Sequence, residues 1–134
     1  MKPLSTYAFP LLRIALSLVF LYFGFQQITA PDVWVDFVPS FLTSTIITAA
    51  NIVMVNGVLE LTLGTFLLMG LYTRISALIL SLHLFGITTS IGFTPLGVRD
   101  FGLAAATLVL FLQNVHPYSI DSFDIRRRTH TQKS

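Results

Sequence analysis

Four long apolar stretches dominate the chain, separated by short segments that hold most of its charge and proline. The first runs from about Pro10 to Ile28 and the second from about Ile47 to Leu71. The third covers about Ile75 to Ile91 and the fourth about Asp100 to Val115. A helix of about 17–25 apolar residues crosses a bilayer core of about 30 Å, and the last two stretches sit near the short end of that range. In lipid, only helices and closed barrels satisfy every backbone group. Strict apolar–polar alternation is absent. The pattern therefore predicts an all-α protein, a transmembrane four-helix bundle, as a single integral-membrane domain over residues 1–134 with a polar tail over 117–134.

The connections differ in kind. Between helices 1 and 2, Val33, Trp34, Phe37, Phe41 and Leu42 fall at helix-like spacing with Asp32 and Asp36 between them. That predicts an amphipathic segment lying in the membrane interface, broken at Pro39. A re-entrant lid over a cavity is the sharper alternative for the same residues. The second connection, Gly70 to Arg74, is so short that helices 2 and 3 must form an antiparallel hairpin, with Gly70 ending helix 2 at positive φ. The third, Gly92 to Val98, carries loop punctuation, and Asp100 is the expected cap of helix 4.

Composition sharpens this picture. Of 134 residues, 54 % are hydrophobic and 10 % charged, against about 25 % charged in soluble domains. The mean hydropathy is +0.78. There is no cysteine, which excludes disulfides, thiolate metal sites and thiol nucleophiles on this chain. The first span is not read as a cleaved signal peptide. Arg13 interrupts its front, and Ile28 does not suit an A-x-A-like site ending at Ala30. Lys2, Arg13, Arg74, Arg126, Arg127, Arg128 and Lys133 all fall on one side, and Arg99 alone on the other. The positive-inside rule then places both termini in the cytoplasm, in a prokaryotic-type inner membrane. Arg126 to Arg128 suit anionic headgroups and form too short a patch for nucleic acid.

The candidate chemistry centres on Glu60. Eleven residues separate it from Leu71, about 16 Å of helix, so it lies near mid-bilayer, where an ionisable group is costly. Asn56, Gly57, Glu60 and Gly64 share one stripe of helix 2, and the glycines admit a close neighbour. Arg13, Ser17, Gly24 and Gln27 share a face of helix 1. Ser76, His83, Gly86 and Ser90 form a stripe on helix 3, and Gly102 and Ala106 lie four apart on helix 4. Depth counting groups Arg13, Glu60 and His83, with Asn56, as an inner polar set able to bind a ligand or move protons. Gln27, Asn51 and Arg99, with Gln26 and Asp100, form an outer polar mouth. Plainer roles stand beside these: Arg13 snorkelling to headgroups, Glu60 as a neutral structural acid, and His83 as a helix contact. The Phe-rich first span (Phe20, Phe23, Phe25) is read as lipid-facing or packing bulk. No metal-ligand cluster, phosphate loop or Ser-His-Asp set is visible. A haem is not expected, because His83 and His116 lie at different depths and could not both ligate one iron within a monomer.

At these residues the chain resembles the DoxX family of small four-helix membrane proteins. The similar stretches are Leu12-Arg13-Ile14-Ala15-Leu16, Gly24-Phe25-Gln26-Gln27, the run from Leu59-Glu60 through Gly64 to Gly70 and Arg74, and the short ending Ser119-Ile120-Asp121. Relatives often carry Lys where this chain has Gln27. The resemblance implies membrane redox work, some relatives resembling subunits of thiosulfate:quinone oxidoreductases. On that basis the chain is expected to be an accessory or quinone-associated subunit. It has no intrinsic cofactor, its possible ligand is a quinone, and its partners are the lipid bilayer and a second copy or a larger membrane complex. A non-catalytic scaffold and a small proton-linked transporter remain alternatives. A reporter fused after Ser134 is expected to be active only in the cytoplasm. Activity confined to the opposite side overturns the orientation.

Overall fold

Each apolar stretch folds as one uninterrupted helix in the computed structural model, which describes residues 4–113 and 119–122. Helix α1 spans Ala8–Thr29, α2 Ala49–Met69, α3 Thr73–Ile91 and α4 Pro95–Leu112. A single 3-10 turn, Leu4–Tyr7, leads into α1. The shortest helix has 18 residues, about 27 Å at ~1.5 Å per residue. All four are long and apolar enough to cross a membrane, and no strand occurs among the described residues. The chain is a multi-pass membrane protein. Lys2, His116, Arg126 to Arg128, Lys133 and most of the polar tail lie outside the described residues.

Local chemistry sets the helix ends. Thr48 caps α2 by accepting from the Asn51 amide at 3.2 Å. At its far end Gly70 adopts φ 70°, the Gly70 amide donates to Leu67 O at 3.2 Å, and the Leu71 amide donates to Phe66 O at 2.9 Å. This is a Schellman ending, which glycine enters without a Cβ penalty. Helix α4 starts five residues before the expected Asp100. Thr94 is the cap, accepting from the Gly97 amide at 3.1 Å, and Pro95 follows at the first helical position, where its missing N–H costs nothing. Arg99 and Asp100 are therefore inside the helix. The segment between α1 and α2 is not one amphipathic helix. It forms three 3-10 turns, Pro31–Val33, Val35–Phe37 and Ser40–Leu42. Pro39, which has no N–H to continue a helix, caps the third.

The bundle is two antiparallel hairpins, since α1 packs most closely on α2 and α3 on α4. In the first, Gly24 and Gly57 meet. A Cβ on Gly24 would lie 2.9 Å from Gly57 O, and one on Gly57 would lie 2.8 Å from Gly24 O. In the second, Ser76, Ala77, Ser81, Ala104 and Thr107 are buried, and Ser81 Oγ donates to Ala104 O at 2.9 Å. Small residues at such contacts let dispersion forces act over close-packed backbones. Hydroxyls elsewhere bond back to their own helix, as Ser17 does to Arg13 O at 2.6 Å and Thr65 to Leu61 O at 2.7 Å. Gly102 is an exception to the expected small-residue contact. It is turned away from α3, and an added Cβ would meet nothing within 4 Å.

A polar lock closes the end where α2 turns into α3. Arg13 Nη1 donates to Leu67 O at 2.8 Å and to Leu68 O at 2.9 Å, a cation at a helix C-terminus, where the dipole favours it. Asp121 accepts from the Tyr72 amide through Oδ1 and from the Thr73 amide through Oδ2, each at 2.9 Å. Its own amide donates to Gly70 O at 3.0 Å. These bonds hold Tyr72 at φ 47°, a left-handed conformation that L side chains rarely adopt.

Gly57→Val is expected to lower stability by about 1–3 kcal/mol through overpacking, whereas Gly102→Val should stay within about 0.5 kcal/mol. Melting temperatures of the two variants in one detergent check this. Equal shifts would mean that α1 and α2 do not depend on the Gly24–Gly57 contact.

Candidate functional site

A chain of side-chain hydrogen bonds crosses the first hairpin at the level of Glu60. Gln27 Nε2 donates to Glu60 Oε2 at 3.1 Å. Asn56 Nδ2 donates to Gln27 Oε1 at 2.7 Å, so Asn56 fixes which way the Gln27 amide points. Glu60 and Gln27 are buried. The other carboxylate oxygen, Oε1, faces His83 Nε2 across the gap to α3 at 3.7 Å. One face of Glu60 is thus held by a neutral amide, and the other is turned to a titratable imidazole.

These groups line a cavity of about 520 Å³ between the hairpins, towards the end that carries the connection from α1 to α2. That volume suits a small organic molecule, for which sites of about 300–1,000 Å³ are typical. The walls are mostly apolar. Phe23 from α1 stands edge-on to Trp34 with ring centroids 5.7 Å apart, and Trp34 is tilted against Phe37 at 6.2 Å. The connection is therefore folded over the cavity. Arg99 stacks on Phe23, its Cζ 4.4 Å from the ring centroid, and Arg99 Nη2 pairs with Asp100 Oδ1 at 2.7 Å. Trp34 Nε1 and His83 Nε2 are both buried at the atom level and have no hydrogen-bond partner in the protein. Among the described residues, no three His, Asp or Glu side chains stand close enough to share a metal ion.

The structure brings together Gln27, Asn56, Glu60 and His83, with Arg99 at the same cavity, and corrects three placements. Arg13 does not join Glu60. It is occupied at the carbonyls of Leu67 and Leu68, about 10 Å further along α2 at ~1.5 Å per residue. Gln27 belongs to the inner set, not to the mouth. Asn51 is exposed and is not part of the cavity wall. One geometric cause covers Arg13 and Gln27. A helical side chain leans towards the N-terminus of its own helix. In antiparallel α1 and α2, Gln27 and Glu60 therefore lean towards each other, while Arg13 leans away. On α3, Gly86 and Ser90 are exposed and the buried face runs instead through Thr73, Ser76, Ala77, Leu80, Ser81 and Leu84. Phe20 is buried, Phe25 faces outward, and Phe23 is a wall of the cavity. Trp34 belongs to the segment whose spacing also suggests a lid over a cavity, whereas Phe23 has no sequence signal beyond being aromatic.

The sequence pattern of the DoxX family matches residues 8–94, from the first residue of α1 to the cap of α4. The chain belongs to the DoxX family. The part shared with DoxX includes Gln27, Asn56, Glu60 and His83. Arg99 and Asp100 lie beyond it. No curated protein and no solved structure matches the chain.

Because Gln27 touches both neighbours, Asn56→Ala and Glu60→Gln should be energetically coupled. A double-mutant cycle of unfolding in detergent is expected to give an interaction of about 0.5–3 kcal/mol; additivity within about 0.3–0.5 kcal/mol would break the proposed linkage through Gln27.

Proposed function

We propose that this chain is the quinone-binding membrane component of a redox system, holding the ring of a quinone in the cavity beside Glu60. The observation that carries this is one apolar, aromatic cavity lined by Trp34 and His83, whose Nε1 and Nε2 are buried and have no hydrogen-bond partner in the protein. Ring carbonyl oxygens are acceptors of the kind these atoms lack, and a planar ring suits walls made by Phe23, Trp34 and Phe37. A bound quinone would supply the two-electron, two-proton chemistry that the side chains of this chain do not carry.

The protein's own part is positioning and proton management. Asn56 orients Gln27, and Gln27 holds Oε2 of Glu60, which leaves Oε1 to exchange a proton with His83 Nε2. Burial makes an unpaired charge expensive here, and the approach of His83 gives the Glu60 carboxyl a second polar neighbour beside Gln27. Arg99, neutralised by Asp100, presents its flat face to Phe23 and stiffens that wall. With no cysteine on the chain, electrons come from a partner. The location that fits this role is the inner membrane, with both termini in the cytoplasm.

A soluble short-tail benzoquinone added to the detergent-solubilised protein is expected to raise its melting temperature. His83→Ala and Glu60→Gln should each weaken that binding by about 0.5–1.5 kcal/mol, the net worth of one hydrogen bond. If the wild-type protein shows no quinone-dependent shift, this function is wrong.

A further inference from the structure

We infer that the cavity opens sideways into the lipid between α2 and α3, and that its ligand is an amphiphile whose apolar tail stays in the bilayer while its head is bound beside Glu60. This rests on the proposed quinone site for the head and adds the tail and its route. Leu82, Gly86 and Ser90 on α3 stand four residues apart, so they form one stripe. All three line the cavity, and all three are exposed, Leu82 by 61 %. A residue that is both wall and surface marks an opening. Gly86 lies at its centre, and a Cβ there would meet nothing within 4 Å.

The shape of the bundle explains the gap. The short corner Gly70–Tyr72 joins α2 to α3, and their contact is slight beside that within either hairpin. The cavity takes its lining from the ends of both helices away from that corner, Ile52, Val53 and Asn56 on α2 and His83, Gly86 and Ser90 on α3. Gly86 is five residues from Ile91, the last residue of α3, or about 8 Å inside the membrane end of the helix at ~1.5 Å per residue. The opening therefore faces hydrocarbon. Phe37, Phe41 and Leu42 of the connection also line the cavity and are exposed, so its end-on side carries an opening of its own, rimmed by large apolar side chains. A hydrated solute using the side route would shed its water before meeting any polar partner, which is costly. An apolar tail would only exchange lipid contacts for contacts with Leu82 and its neighbours.

The test uses Trp34, the chain's only tryptophan, whose fluorescence a quinone bound in this cavity quenches. Protein in phosphatidylcholine vesicles is titrated with a long-tailed isoprenoid ubiquinone and, separately, with the tail-less dimethoxy-methyl-benzoquinone. Wild type, Gly86→Phe and Gly102→Phe are compared, the last adding the same bulk at an exposed site away from the cavity. The expected result is that Gly86→Phe weakens saturable quenching by the long-tailed quinone about tenfold or more. Its response to the tail-less ring, and both responses of Gly102→Phe, should stay within about twofold of wild type. If Gly86→Phe leaves both probes unchanged, or weakens both alike, the side opening is wrong while the ring site stands. If neither probe quenches wild type, the ring site fails and the opening with it.

Discussion

The close approach of α1 and α2 at Gly24 and Gly57 sets the separation across which Gln27 reaches Glu60. Side chains at either glycine would collide with the opposite backbone, and the helices would part. A mid-membrane carboxyl has few ways to be accommodated without water, because hydrocarbon offers it no hydrogen bond. Here it receives one from an amide that is itself held by Asn56. The cavity is possible because this arrangement uses only part of Glu60 and leaves Oε1 turned to the second hairpin.

The protein keeps its two main polar systems apart. At one end, Arg13 and Asp121 engage helix termini, where backbone carbonyls and amides are short of partners in any helix. They stabilise the turn from α2 to α3 and the unusual backbone of Tyr72. Near the middle, Gln27, Asn56, Glu60 and His83 serve the cavity with amides, a carboxyl and an imidazole. Arg13 therefore acts as a structural cation. In this DoxX protein the position where relatives often carry Lys holds Gln27, so Glu60 meets a neutral donor there, and His83 is left as the basic group facing it.

Much of the fold was legible in the sequence because hydrocarbon imposes length and polarity so strictly. Four spans, the Gly70 turn and the inward stripe of Gly57, Glu60 and Gly64 follow from composition and a period of 3.6. The site was half legible. Glu60, His83, Asn56 and Arg99 stood out as polar groups in apolar surroundings. Counting Cα depth along the helices then misassigned Arg13 and Gln27, because depth ignores the lean of side chains, which acts in opposite directions on antiparallel helices. Gly92, Pro95 and Gly97 resemble a continuous loop and so point to Asp100 as the cap, although Thr94 before Pro95 is the stronger start signal. Trp34 and Phe23 were invisible as a pair, since their contact depends on how three 3-10 turns fold back over the bundle.

The hydrogen bonds described above that join two helices all lie within one hairpin. Arg13 to Leu67 and Leu68, Asn56 to Gln27 and Gln27 to Glu60 belong to the first, and Ser81 to Ala104 belongs to the second. Across the divide stand the 3.7 Å approach of His83 to Glu60 and the stacking of Arg99 on Phe23, with apolar packing around them. The molecule is thus two internally bonded hairpins joined at the Gly70–Tyr72 corner, which Asp121 pins. A change in the angle between them would alter the His83–Glu60 distance and the cavity volume together while leaving the hydrogen bonds within each hairpin intact.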